Sequence, residues 1–353
     1  MALRRLQVTD FRCLHTAVLE LDPGFTLISG PNASGKTSLL ESIYLLGRGR
    51  SFRTRHTDHL VRRGAERFVV FGEVDATVRR VSLGIEGSAN GLRAKVAGER
   101  AATLAELALQ LPVQIIDPEV HRLIEEGPGR RRRFLDWGVF HVEHEFVKHW
   151  QRYHQVLRQR NAALKTRQAT VISAWDPELV RFGQLITDAR QSYTDALAAQ
   201  SAPIARRLLG AELALSYRTG WAKDQPLEVA LSQGLKADMD MGTTQVGPHR
   251  ADLAIRLGGL PVKDRISRGQ QKLLAAALLM AQINLFPEEA PIRPTLLLDD
   301  PAAELDDERL ASLIQEVSAQ SVQLVVTTLH GEFPAFGSPG CRFAIEAGVC
   351  RPI

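Results

Sequence analysis

Residues 30–37 read Gly30-Pro31-Asn32-Ala33-Ser34-Gly35-Lys36-Thr37, with Ser38 following. The spacing G-x-x-x-x-G-K-T lets backbone N–H groups close around phosphate oxygens. Gly30 and Gly35 permit the turn and the close approach. Lys36 is expected to reach the β- and γ-phosphates and Thr37 to ligate Mg2+, so the chemistry indicated is binding of a nucleoside triphosphate. A second set of reactive groups lies far downstream. Pro294-Thr295-Leu296-Leu297-Leu298-Asp299-Asp300 is an apolar run ending in two carboxylates. Asp299 is expected to hold Mg2+ through water, and Asp300 to orient or deprotonate the attacking water. Alone, two acids after an apolar strand are often a solvated turn; beside a phosphate loop the metal reading is the better one.

Specific elements must hold these groups. Residues 25–29, Phe-Thr-Leu-Ile-Ser, are short, apolar and rich in strand formers. Leu39, Leu40, Ile43 and Leu46 then recur at helical spacing, with Gly47 the expected C-cap. Strand, loop, helix is the context a phosphate loop requires. The run 294–300 suits a strand buried on both faces of a parallel sheet, with Asp299 at the carboxyl edge where ligands bind. Lys36 and Asp299 are 263 positions apart (299 − 36), so something large is inserted between them.

Further segments carry a family resemblance. Ile266-Ser267-Arg268-Gly269-Gln270-Gln271-Lys272, ahead of an apolar helix at 273–285, resembles the L-S-x-G-Q signature of ABC-type ATPases. Ala303-Glu304-Leu305-Asp306 resembles the loop joining two such ATPases, and Phe11-Arg12 the start of SMC-type heads. With Gly247-Pro248-His249-Arg250-Ala251-Asp252-Leu253 and the Arg-Arg-Phe-Leu-Asp-Trp run at 132–137, the chain resembles the RecF family of bacterial DNA replication and repair ATPases. The resemblance covers most of the chain and is weakest at about 85–105 and 165–235.

It implies an α/β fold: an ABC-type, SMC-head-like ATPase with a mixed sheet and an inserted, mainly helical lobe or short arm. The expected division is 1–117 with 246–353 as a split head and 118–245 as the insertion. It also implies that Ser267, Arg268, Gly269 and Gln270 meet nucleotide bound to another copy, with Ser267 donating its hydroxyl and Gly269 its N–H. ATP would then join two copies by two-fold symmetry. The implied partners are DNA at single-strand gaps, RecR, RecO and RecA. Serine at that position also reads as a helix N-cap, and both roles can hold together.

Three departures bear on mechanism. Asp300 stands where many ABC-type ATPases carry Glu; the shorter side chain implies slow hydrolysis. After a strand at 323–327, Thr328 occupies the usual histidine position, with His330 two further on. Either Gln114, within an apolar strand at 111–116, or Glu119 serves the position of the glutamine loop.

Elsewhere, strands are expected at 3–11, 17–21, 68–75 and 79–85, Pro118 marks a break, and 119–245 reads as mostly helical. Pro177 is expected to interrupt a helix and start another. Residues 251–257 before Gly258-Gly259 open a hairpin. His249 and Arg250 either bind ligand or fix a turn.

The chain has 353 residues, 44% hydrophobic and 24% charged, with a net charge of +4. That is globular composition and excludes a disordered or fibrous chain. The longest uncharged apolar run, 273–286, is short of the roughly 20 residues a membrane span needs. With no secretory signal and three cysteines, Cys13, Cys341 and Cys350, a soluble cytoplasmic protein is expected. Basic residues cluster: Arg48, Arg50, Arg53, Arg55, Arg62, Arg63 and Arg67 in one stretch, Arg130 to Arg133 in another, then Arg152, Arg158, Arg160, Lys165 and Arg167. Guanidinium groups suit phosphate oxygens, and recognition of DNA backbone rather than sequence is expected. Two other functions share the phosphate loop, a transporter's ATPase subunit and a small-molecule phosphotransferase. The wide motif separation weighs against the first, and the second leaves the signature unexplained.

Overall fold

The structure is a computed structural model that describes residues 2–75, 80–263, 265–287, 294–303, 305–329 and 336–353. The chain forms two compact units, Met1–Val120 with Pro287–Ile353, and His121–Phe286. In chain order the first carries β1 (Leu3–Phe11), β2 (Leu14–Glu20), β3 (Phe25–Ser29), α1 (Lys36–Arg48), β4 (Arg67–Asp75), β5 (Arg80–Ser88), β6 (Gly91–Val96), β7 (Glu99–Arg100), α2 (Ala105–Gln110) and β8 (Val113–Ile116). The second carries α3 (Arg122–Glu125), α4 (Pro128–Val142), α5 (Phe146–Lys165), α6 (Ala169–Leu209), β9 (Leu213–Arg218), α7 (Leu227–Met241), β10 (Asp252–Leu257), β11 (Leu260–Pro261) and α8 (Arg268–Asn284). The chain then returns to the first unit as β12 (Thr295–Asp299), α9 (Asp307–Ser318), β13 (Gln323–Thr328), β14 (Cys341–Glu346) and β15 (Val349–Pro352).

Two sheets build the first unit. One is antiparallel, in the order β2-β1-β4-β5-β6-β7. Its strands alternate inward and outward residues, as β4 does, which fits a sheet with one covered face. The other runs β15-β14-β3-β13-β12-β8 and is parallel except for β15. Every residue of β12 and β13 is buried, the pattern of a parallel sheet covered on both faces. Helix α1 packs against strands of both sheets, and its Leu39, Leu40, Ile43, Leu45 and Leu46 are fully buried. Each such side chain contributes about 1.5–3 kcal/mol by leaving water, so truncating Leu40 to alanine at this depth costs about 2–5 kcal/mol. That packing fixes the helix whose first turn carries Lys36 and Thr37.

Helix α1 ends two residues later than expected. Gly49, not Gly47, adopts the left-handed cap, at φ 62°. Gly47 is instead a packing glycine: a Cβ there would lie 2.4 Å from the carbonyl oxygen of Leu111.

In the second unit α8 is buried along most of its length and packs on α6. This packing, with the sheet β11-β10-β9, places residues 246–286 with the helical unit rather than with the head as expected. Pro177 does not break α6, which runs 41 residues through it. Pro177 faces solvent, where the carbonyl it strands can bond water, so the lost hydrogen bond is tolerated. The segment 119–245 also contains a strand, β9. A buried ion cluster ties these helices together: Arg160, fully buried, donates to Asp176 and Asp238 at 2.7 Å each and to Thr244 at 2.8 Å.

Candidate functional site

The phosphate loop joins β3 to α1 as the spacing demands. Gly30 is required by close approach: a Cβ there would lie 2.1 Å from the carbonyl oxygen of Ile345. Gly35 is required by conformation, at φ 116°. The Gly30 N–H is held by the Thr328 carbonyl at 3.2 Å, and the Gly348 N–H bonds the Ser34 carbonyl at 2.9 Å. The loop is therefore clamped from the β13 side and from the β14–β15 turn.

Lys36 is 6% exposed and donates to the Gly30 and Pro31 carbonyls at 2.6 and 2.9 Å. Those carbonyls occupy the ammonium in the way phosphate oxygens would. The Ser34 hydroxyl is buried in the loop without a hydrogen-bond partner. A buried hydroxyl without a partner is costly unless a ligand completes it, and a phosphate oxygen is a fitting acceptor. The residues present thus fit a bound triphosphate.

Strand register sets the carboxylates. Asp299 pairs with Thr327, and Thr328 with Ser29, so the ends of β12, β13 and β3 are level at the carboxyl edge. There Asp299, 6% exposed, accepts from Thr37 Oγ1 at 2.9 and 3.1 Å and from Thr327 Oγ1 at 2.8 Å. Burial pushes its carboxyl above the usual range, with Asp300 adding to the shift; the Thr327 and Thr37 hydrogen bonds and the charge of Arg53 oppose it. A carboxylate and an alcohol oxygen converging this closely are the hard donors magnesium takes, with phosphates and water completing its shell. When bound, the ion would polarise the transferred phosphoryl group. Among the described residues no cluster of three His, Cys, Asp or Glu side chains forms a dedicated metal cage.

Asp300 lies just past the strand, in a left-handed conformation at φ 46° that non-glycine residues seldom adopt. Its N–H is pinned by Thr327, through the hydroxyl at 3.1 Å and the carbonyl at 3.2 Å. Its carboxylate has no hydrogen-bond partner among the described residues, which leaves it open to a water hydrogen bond. Thr328 is buried behind the loop and lends it a carbonyl; His330 lies outside the described residues, as does Glu304. Gln114 accepts from Arg48 at 2.8 Å. Arg48 is the last residue of α1, at the opposite end from Thr37, so Gln114 is turned away from the phosphate site. Glu119 follows the carboxyl end of β8.

In the second unit Ser267 caps α8 and is exposed. Its hydroxyl oxygen accepts from the Gln270 N–H at 3.3 Å, while the Gln270 side-chain oxygen accepts from the Ser267 N–H at 2.9 Å. This capping box leaves the Ser267 hydroxyl proton available, and the first N–H groups of a 17-residue helix, Arg268 and Gly269 among them, sit at its positive end.

His249 fixes a turn. Its Nε2 donates to the Thr244 carbonyl at 2.9 Å, which makes Nδ1 the acceptor for the Tyr153 hydroxyl at 2.7 Å. Burial, helped by nearby Arg250, His154 and Arg132, pushes the imidazole down to about 4. The same turn is held by Arg190 on the Pro248 carbonyl at 2.7 Å and Arg132 on the Ala251 carbonyl at 2.6 Å.

The arginine clusters prove unequal. Arg130, Arg131 and Arg132 are engaged internally, with Glu126 at 3.1 Å, Asp252 at 2.8 and 3.0 Å, and the Ala251 carbonyl. Arg160 is wholly buried and Arg152 bonds Glu178 at 2.6 Å. Arg48 bonds Val113 and Gln114, Arg62 bonds Asp10, and Arg67 pairs with Glu86. Among the described residues, the exposed cations of these clusters without a partner are Arg50, Arg55 and Arg63 in the first unit and Arg158, Lys165 and Arg167 in the second.

Sequence reasoning missed Glu41. It is fully buried on α1, one turn past Thr37, and accepts from Arg12 at 2.7 and 2.9 Å, from Ser51 at 2.5 Å and from Arg53 at 3.4 Å. Its only sequence signal is an acid among apolar helix positions, Leu39, Leu40 and Ile43.

A phosphate loop between β3 and α1, an acid ending β12 two strands away in the same sheet, and a serine-capped helix in a second unit are the features of an SMC-head-like ATPase fold. The family model of the RecF/RecN/SMC N terminal domain matches residues 2–336. A "DNA replication and repair protein RecF" of Yersinia pestis bv. Antiqua (strain Angola) is 41% identical over 99% of this chain and 98% of its own length. One of Erwinia tasmaniensis is 38% identical over the same shares. A solved structure described as the recombination mediator protein RecF with ATP in the RecFOR pathway superposes with a TM-score of 0.91, at 29% identity and 99% coverage of both chains. An Smc head domain from Pyrococcus furiosus superposes at 0.61 with 18% identity, covering 100% of this chain and 96% of that one, a likeness of fold alone. The chain belongs to the RecF family. Membership gives no support to a transporter subunit or a small-molecule phosphotransferase.

Proposed function

We propose that this chain binds magnesium-ATP at residues 30–38 and that ATP joins two copies. Lys36 contacts the β- and γ-phosphates, Thr37 and Asp299 hold the ion, and Asp300 acts on the attacking water. Ser267 and Gly269 of a second copy donate to the γ-phosphate. Hydrolysis is weak, because Asp300 is shorter than glutamate, and it serves to release the dimer. The ATP-bound dimer holds DNA at single-strand gaps in the cytoplasm and, with RecR and RecO, helps load RecA. Arg50, Arg55, Arg63, Arg158, Lys165 and Arg167 are the cations available for the DNA backbone.

The observation that carries this reading is the loop itself, with Lys36 folded on two carbonyls, Ser34 unpartnered and Thr37 on Asp299. The solved RecF structures described with ATP and with an ATP analogue support it by likeness. Sedimentation velocity with magnesium and ATPγS, with and without gapped duplex DNA, tests it. A nucleotide-dependent dimer whose DNA complex needs nucleotide is expected; a monomer at saturating nucleotide overturns the reading. Lys36→Arg keeps the charge but fits the cradle poorly, so it should lose hydrolysis; wild-type turnover in that variant contradicts the role of Lys36.

A further inference from the structure

Helix α8 reaches the surface at its start and is anchored at its far end. From Leu273 to Ile283 every side chain is buried, and Gln282 is the one polar residue in that run. The rest are leucine, methionine and isoleucine, with alanine at 275–277 and 281. Apolar contact is non-directional, so such a surface holds the helix in the core but fixes its slide and turn only weakly. Gln282 supplies a directional contact. Its Nε2 donates to the carbonyl of Phe134 on α4 at 2.9 Å, and both residues are buried. That carbonyl already serves the Gly138 N–H within α4, so Gln282 takes its second lone pair. Gly138 is a packing glycine: a Cβ there would lie 2.1 Å from the Tyr193 hydroxyl of α6. Three helices thus close on one point. Just past α8, the Phe286 ring lies 5.6 Å from that of Trp137 and 4.9 Å from that of His141, both on α4. At the opposite end, Ser267 to Gln271 are exposed or half-buried.

We propose that Gln282 is a positioning residue for the signature segment: its bond to Phe134 sets the register of α8, and with it the place of Ser267 and Gly269 about 22 Å away along the axis. This rests on the reading above that the start of α8 meets ATP bound to a second copy. Gln282 itself touches no nucleotide. Fixing the register of packed helices is the best-attested use of a single buried polar group. A slip of one residue would move Ser267 by about 1.5 Å and turn it by about 100°. A hydroxyl and an N–H aimed at a phosphate oxygen do not tolerate that, since a displacement of about 1 Å can cost about 100-fold. Folding depends on the same amide far less. The Phe134 carbonyl keeps its helical partner without Gln282, and methionine nearly matches the side chain in volume.

The test is the strength of the magnesium-ATPγS-dependent dimer, read by sedimentation velocity on the full chain beside thermal unfolding and calorimetric nucleotide affinity. Gln282→Met should weaken the dimer about tenfold or more. Its melting temperature should fall by no more than about 4 °C, the effect of one hydrogen bond. The phosphate loop belongs to the other unit, so the nucleotide affinity of a single copy should stay within about twofold. Gln282→Leu, of smaller bulk, gives the same reading should methionine disturb the packing. Ile283→Val trims the next residue of α8 at a similar loss of stability and keeps the amide; it should dimerise within about twofold of wild type. In the Ser267→Ala background, Gln282→Met should add much less than its separate factor, because the hydroxyl it positions is gone. A Gln282→Met protein that dimerises like wild type, an Ile283→Val protein that loses as much, or losses that multiply in the double variant overturn the proposal and leave the nucleotide-dependent dimer intact. A wild-type chain that stays monomeric at saturating nucleotide overturns the underlying reading instead.

Discussion

The hydroxyl of Thr37, in the first turn of α1, donates to Asp299 at the end of β12 at 2.9 Å, across a sequence separation of 262. One proton joins Thr37 to Asp299, the two residues that would hold magnesium, Asp299 through water. Thr37→Val keeps shape and removes the ligand. It should weaken magnesium-ATP binding by about 10- to 100-fold while leaving metal-free ATP binding within about twofold, since the ion contributes several kcal/mol of charge stabilisation. Titrating nucleotide with magnesium and with EDTA measures both. Equal losses in the two titrations would remove the metal from the account of Thr37.

The salt dependence of DNA binding distinguishes used arginines from spent ones. Each neutralised duplex phosphate contributes about −0.9 to the slope of log K against log salt. Replacing Arg50, Arg55 and Arg63 together with glutamine should flatten the slope by up to about 3 and barely alter the melting temperature, because those side chains are exposed and have no partner among the described residues. Arg131→Gln should do the opposite. It breaks a two-pronged bond to Asp252 and should lower stability without changing the slope. An unchanged slope in the triple variant would exclude the 48–67 stretch as a DNA surface.

The parts of the site that were legible from sequence are the parts set by local spacing. Gly30 to Thr37, the strand ending at Asp299 and the capped start of α8 each depend on neighbours within a few positions. What stayed hidden depends on residues remote in the chain. Glu41 reads as an ordinary acid on a helix until Arg12, Ser51 and Arg53 are brought to it. Arg130 to Arg133 read as a polyanion surface because Asp252, which engages one of them, is 121 positions away. Gln114 reads as a glutamine-loop candidate, yet its orientation is settled by Arg48 from another element. Pro177 carries a strong local breaking signal, but tertiary packing along α6 and an exposed carbonyl outweigh it.

The burial of His249 makes the second unit acid-sensitive. With its folded value depressed to about 4, His249 is neutral in the native state, whereas in the unfolded chain it titrates near its ordinary 6.5. The unfolded state therefore binds more protons between these values. Stability from this site is complete above about pH 6.5, falls as pH drops toward 4, and changes no further below; the loss is roughly 3 kcal/mol at most. His249→Asn should be less stable than wild type at pH 8 but should show a shallower decline from pH 6.5 to 4.5 in urea denaturation. A decline as steep as that of the native chain would place the sensitivity in another group.

Ser267 serves two roles that one substitution can separate. As a cap it accepts from Gln270, and aspartate at an N-cap does this as well and favours the helix dipole. As a phosphate ligand it must donate, and an ionised aspartate cannot; it would also repel the triphosphate. Ser267→Asp should therefore keep the melting temperature of wild type, or raise it slightly, while abolishing the ATP-dependent dimer. Ser267→Ala should cost about 1 kcal/mol of stability through the lost cap and weaken the dimer less than aspartate does. Thermal unfolding read beside sedimentation resolves the two effects. A Ser267→Asp protein that dimerises on magnesium-ATP like the native chain would show that the start of α8 faces no nucleotide, and that the capping box is the whole reason for serine at that position.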